Sequence, residues 1–130
     1  MTTEQKDLLL KDLCARLPYG IMAKFGDSNP SEITNITQCI DSDSWFVESE
    51  GEFDGMACQI DNVKPYLFPL SSMTEEQYDE ISALLQIICH SECAHYFTHK
   101  LTDWFNKNHF DYRGLIEEGL AIDATGKNIY

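Results

Sequence analysis

The stretch from Leu101 to Ala121 constrains this chain more than any other. Trp104, Phe105, His109, Phe110 and Tyr112 put five rings into nine residues, and that much ring surface demands packing partners from the rest of the chain. Phe97, Leu101, Trp104, Phe105 and Asn108 recur at three- and four-residue steps, which predicts a helix of about three turns with its large rings on one side. Asn108-His109 follows the last apolar position, where Asn tolerates the left-handed conformation that ends many helices. Asp111 then offers a carboxylate to the free amides of a second, short helix through Leu115 and Glu118, and Gly119 stands where a stop is expected. The segment reads as helix, corner, short helix, tail.

Three stretches carry a resemblance. Asp103-Trp104-Phe105-Asn106 with Asn108 to Ile116 and Gly119-Leu120-Ala121, Asp12-Leu13-Cys14-Ala15-Arg16-Leu17-Pro18-Tyr19-Gly20, and Lys64-Pro65-Tyr66-Leu67-Phe68-Pro69-Leu70-Ser71-Ser72-Met73-Thr74 resemble a family of small uncharacterised proteins found in gut Bacteroidales and their prophages. They cover roughly a third of the chain by the residues quoted. The resemblance implies an origin and no activity, cofactor or catalytic residue. The stretch from Gln86 to His99 departs from it.

At 130 residues the chain suits one domain spanning 1–130. Met1 to Asp7 has no basic run leading into an apolar one, and no apolar run approaches the roughly 20 residues that cross a bilayer; a soluble, cytoplasmic protein with no membrane contact is expected. Five cysteines then read as reduced thiols. The net charge of −13 is uneven: residues 31–80 hold twelve acids against the single base Lys64. Such a field repels phosphates, so direct nucleic-acid binding is disfavoured and a basic partner favoured.

Thr2 and Gln5 form a reciprocal helix start, with Leu9, Leu10, Leu13, Cys14 and Leu17 as the stripe behind it. Pro18-Tyr19-Gly20 ends that helix at a corner. From Tyr19 to Ile60 the period becomes two. Tyr19, Ile21, Ala23 and Phe25 alternate with Met22 and Lys24; Ile36 and Ile40 share a side with Thr34 and Gln38; Trp45 and Val47, then Phe53, Met56, Cys58 and Ile60, follow after turns. Short loops require antiparallel neighbours, so about four antiparallel strands in a curled sheet or small open barrel are expected, covered by helices. Asp61 to Leu70 carries two prolines and is excluded from a central strand. Thr74 and Gln77 repeat the helix-start box ahead of Tyr78, Ile81, Leu84, Leu85 and Ile88, and a helix break is expected near Ser91.

Chemistry is sparse. Glu92, His95 and His99 would share a helix side, and Cys89 and Cys93 another, yet the glutamate that follows the first histidine in hydrolytic zinc helices is replaced by Tyr96, and no second cysteine pair completes a four-ligand site. Cys89 and His90, adjacent on a helix, point about 100° apart. Cys14, Cys39 and Cys58 fall on apolar faces and read as inert. Asp41, Asp43, Glu48, Glu50, Glu52 and Asp54 form an acidic surface of hairpin carboxylates, too wet for general acid work. Phosphate-cradling loops and basic strips are absent from the sequence. At the corner, Asp111 as a cap and Arg113 as a carbonyl or carboxylate partner are the structural reading; a recognition patch of Trp104, His109, Asp111, Tyr112 and Arg113 is the functional one.

The expected fold is a single α+β domain with an N-terminal helix, about four antiparallel strands and two or three C-terminal helices. No cofactor or metal is implied. The preferred function is a non-enzymatic protein-interaction module of prophage or mobile-element origin, binding an unidentified protein through the Trp104–Arg113 region or the acidic surface. The alternatives are an acidic nucleic-acid mimic that inhibits a host defence or DNA-processing enzyme, and a metal- or thiol-dependent enzyme using Cys89 to His99.

Overall fold

The computed structural model describes residues 1–41, 44–49, 57–90 and 94–130, leaving aside the side chains of 89, 90 and 94–97. Helix α1 (Thr3–Arg16) starts on the expected capping box, with Thr2 Oγ1 accepting from Gln5 N–H and Gln5 Oε1 accepting from Thr2 N–H. It ends through a 3-10 turn, Leu17–Tyr19, onto Gly20 at φ 75°. A Cβ there would stand 2.9 Å from Glu32 Oε1, the movable end of an exposed side chain, so it is the backbone angle that favours glycine at this corner.

Four strands follow: β1 (Met22–Phe25), β2 (Ser31–Gln38), β3 (Trp45–Ser49) and β4 (Ala57–Gln59). They pair antiparallel in sequence order. The fold is α+β, and the four-strand expectation is corrected to an open, mixed sheet of seven strands, in place of a curled sheet or small open barrel. A 3-10 turn, Ile60–Asn62, leads into β5 (Val63–Pro69), which pairs antiparallel with β1 and parallel with two short strands, β6 (Phe110–Asp111) and β7 (Ile122–Asp123). The path runs β4-β3-β2-β1-β5-β6, with β7 also on β5.

The proline-bearing run is therefore a central strand, contrary to expectation. Gly26 N–H donates to Asn62 C=O at 2.8 Å, so positions 62 and 64 bond toward β1 while 63 and 65 face away from it. Pro65, opposite Ala23, lacks its donor where β1 requires none. The peptide between Leu67 and Phe68 bonds both ways: its carbonyl accepts from Ala124 N–H and its N–H donates to His109 C=O, each at 2.8 Å. A trans peptide points these groups in opposite directions, so the two parallel strands grip β5 from either side.

Alternation also fails once in β2. The register shifts between Ile33 and Asn35, and this bulge turns both Ile33 and Ile36 toward the core. Ile40, expected beside Ile36, lies beyond the strand and is fully exposed.

Between β5 and β6 stand α2 (Glu75–His90) and α3 (Ala94–Lys107), giving an N-terminal helix and two C-terminal ones. The expected break near Ser91 falls outside the described residues. The Thr74–Gln77 capping box is present, Thr74 N–H donating to Gln77 Oε1 at 2.9 Å and Gln77 N–H to Thr74 Oγ1 at 3.2 Å. Residues 115–119 form hydrogen-bonded turns in place of the short helix, with Leu120 and Ala121 N–H both returning to Leu115 C=O. The main core gathers Leu9 and Leu13 of α1, inward residues of β1, β2, β3 and β5, and Leu115, Leu120 and Ala121. Among the described residues neither α2 nor α3 contributes to it.

Candidate functional site

Two places repay close reading: a buried ionic knot under the C-terminal corner, and a groove on the helical pair. The knot begins on α1, where Asp12 and Arg16, four residues apart, share the buried face with Leu9 and Leu13. Arg16 Nε donates to Asp12 Oδ2 at 2.8 Å, and both side chains are 0% exposed. Arg16 Nη2 donates to Phe110 C=O at 2.6 Å. Arg113 Nε reaches Asp12 Oδ1 at 3.1 Å, and its Nη2 donates to Tyr112 Oη, which in turn donates to Asn106 Oδ1. Both guanidiniums approach the Tyr112 ring, at 5.2 and 4.8 Å from its centroid. Burial pushes the Asp12 carboxyl above its ordinary range, opposed by the two guanidiniums. Desolvation thus offsets much of what the charges gain from one another.

The corner residues singled out from the sequence are assembled here, each on an internal partner. Asp111 caps the turn, its two oxygens accepting from Leu115 and Ile116 N–H at 2.9 Å each. Trp104 lies flat on Phe110 at 5.5 Å and donates from Nε1 to Glu80 at 3.0 Å. His109, with φ 62°, takes the left-handed position anticipated for Asn108. Its ring stacks on Tyr130 at 3.7 Å. Burial, helped by the Arg16 charge, lowers its pKa from 6.5 to about 4. Tyr130 was not singled out from the sequence, yet its hydroxyl accepts from Met22 N–H at 3.1 Å and donates to Tyr66 C=O at 2.7 Å. Met22 and Tyr66 stand one step beyond the Ala23–Pro65 pair, so a phenol fills one rung of the β1–β5 ladder. Burial also raises its pKa, which keeps the proton it donates.

The groove lies where α2 begins and α3 ends. Leu70, Met73, Tyr78, Ile81 and Phe105 line an open volume of about 670 Å³, with Thr74, Glu75 and Asp79 at its edge. Phe105 is held from behind by Tyr112, 5.6 Å away and nearly parallel, so the aromatic corner supplies the back wall. Leu70 is 44% exposed and Tyr78 56%. Along α2, Ile81 is buried, Leu84, Leu85 and Ile88 are half-buried and Ile87 is exposed. A helix with so apolar a side normally buries it.

Of the acidic surface, Asp41 is exposed and Glu48 accepts from Asn35 Nδ2 at 3.3 Å; Asp43, Glu50, Glu52 and Asp54 lie outside the described residues. Glu92 and Cys93 lie outside them as well, as do the side chains of Cys89 and His95, while His99 is exposed. Among the described residues no three His, Cys, Asp or Glu side chains converge on a metal-sized space. Cys14, read as a core thiol, is exposed; it sits between the buried Leu13 and Arg16 on the solvent side of α1. Among the described residues no helix is long and apolar enough to cross a membrane.

Asp12 and Arg16 were missed as site residues, although a four-residue acid–base spacing inside a leucine stripe is a legible signal. Leu70, which is exposed, and Met73, which is half-buried, were missed because nothing in a sequence marks which apolar residues the fold leaves open. The class defined by fold and site is an α+β domain with a mixed sheet, a buried ionic knot and a partly exposed groove on a helical pair. Comparison with family models, curated proteins and solved structures finds no match.

Proposed function

We propose that this chain is a non-enzymatic protein-interaction module whose contact surface is the groove between the start of α2 and the end of α3. The observation that carries the reading is the pair Leu70 and Tyr78, large side chains 44% and 56% exposed that line one open groove together with Met73, Ile81 and Phe105. Apolar side chains left open to solvent together, and not singly, are what a contact site requires. The buried ionisable groups support it from the other direction: Asp12, Arg16 and His109 are engaged in packing the corner, and none of them lines the groove. Trp104 and Tyr112 stay in the interaction surface indirectly, as the layer that fixes Phe105. The prophage background implied by the resemblance belongs to the same proposal.

A photo-crosslinking amino acid placed at position 78, in the cells that normally make the protein, tests this. One defined protein adduct from position 78, absent when the same group replaces the exposed Lys127, is the expected result. Equal adducts at both positions, or none at 78, would overturn the reading.

A further inference from the structure

We infer that the groove takes a basic amphipathic helix: a partner segment with an apolar stripe at three- and four-residue steps, flanked by Lys or Arg. This rests on the interaction reading above and specifies its partner.

Shape comes first. Small-molecule sites enclose most of their ligand, whereas this groove is open and set against two packed helices, with Phe105 on one and Tyr78 and Ile81 on the other. α3 is the main neighbour of α2 among the described elements. An opening between two packed helices can take a third, whose side chains drop between those already present.

Charge then selects the helix. Glu75 and Asp79 line the groove and Glu76 and Glu80 flank them, while α2 from Glu75 to His90 contains no Lys or Arg. Glu75 and Glu76 sit in the first turn, where they favour the helix's own dipole. Asp79 lies a turn further on, where that benefit has faded, and Glu80 is already held by Trp104 Nε1. A second copy of the chain is the wrong occupant. Apposing two α2 helices would set carboxylates against carboxylates in a molecule of net charge −13, and like charges across an interface are repulsive. Lys and Arg on the partner neutralise the rim while its apolar stripe covers Leu70, Met73 and Tyr78.

The test uses the whole chain and fluorescence anisotropy with a designed peptide of about 18 residues, or five turns, carrying leucines at helical spacing with lysines beside them. Two controls replace the lysines by glutamates or scramble the leucine spacing. The lysine peptide is expected to saturate the protein, and the two controls to bind at least about tenfold more weakly. Tyr78→Ala should weaken the lysine peptide about tenfold. Glu75→Gln with Asp79→Asn should weaken it about threefold at low salt and flatten its salt dependence. Tyr78, Glu75 and Asp79 are all exposed, and circular dichroism confirms that the variants stay folded.

Equal binding of the lysine and glutamate peptides, a scrambled peptide that binds as well, or a carboxamide variant with unchanged salt slope would each overturn the assignment. So would a dimer that Tyr78→Ala dissociates. If no peptide binds while position 78 still crosslinks to one protein, the partner chemistry is wrong and the interaction reading survives. If both fail, both are wrong.

Discussion

Asp12→Asn is the sharpest perturbation of the fold. The change keeps the shape of the side chain and removes the counter-charge of Arg16, which is 0% exposed and 2.8 Å away. Arg16 cannot turn to water without vacating the space between α1 and the corner, because its Nη2 is bound to Phe110 C=O at 2.6 Å. Arg113 is 19% exposed and has more freedom to rotate outward. Removing one partner of a buried pair costs about 3–5 kcal/mol, and Arg16 alone, with no route to water, accounts for a loss in that range. The intact pair contributes far less than this, since burial already disfavours the Asp12 carboxylate. Replacing both partners by apolar side chains, Asp12→Leu with Arg16→Met, should therefore be milder than Asp12→Asn alone. Urea unfolding of wild type, each single variant and the double variant measures the coupling. If Asp12→Asn lies within about 1 kcal/mol of wild type, or the double variant loses as much as the singles combined, the knot does not work as described.

The His109 imidazole carries a pH dependence. With its pKa lowered to about 4 in the folded chain against 6.5 unfolded, its contribution is complete above about pH 6.5 and is lost as pH falls toward 4, because the unfolded chain then takes up the proton first. That gap sets a ceiling of about 3 kcal/mol, and partial exposure of the ring reduces it to roughly 1–2 kcal/mol. Urea midpoints between about pH 4 and 7 should show the loss in wild type and not in His109→Asn, whose asparagine tolerates the φ of 62°. Tyr130→Phe deletes the ladder rung and should cost about 1–3 kcal/mol, with faster amide exchange at Met22 as the specific sign. Thr74→Ala removes half of the α2 capping box and should cost about 1 kcal/mol, read as a lower unfolding midpoint; an unchanged midpoint would show that α2 is held by other contacts.

Local chemistry was legible in the sequence wherever partners lie within one helical turn or one strand. The capping boxes at Thr2 and Thr74, the corner at Gly20, the inward set Ile21, Ala23 and Phe25, and the Asp111 cap all follow from short-range rules. Pairings that join distant segments were not. The prolines of β5 pointed away from a central strand because a donor count cannot reveal which way position 65 faces. The bulge at Ile33 to Asn35 broke an alternation that looked regular. The short parallel strands β6 and β7, two residues each, carry too few positions for any period. At the corner, Asp111, Tyr112 and Arg113 were visible as a cluster, while Asp12 and Arg16, about a hundred positions away, complete it. The groove was invisible because it depends on the fold leaving Leu70 and Tyr78 partly exposed.

The double grip on the peptide between Leu67 and Phe68 has a consequence for how the molecule is made. One hand comes from His109 and the other from Ala124, with Tyr130 behind them. A ribosome adds these residues some forty to sixty positions after the end of β5, so the centre of the sheet stays half-paired while they are made. The sheet cannot close around β5 before all three residues have left the exit tunnel.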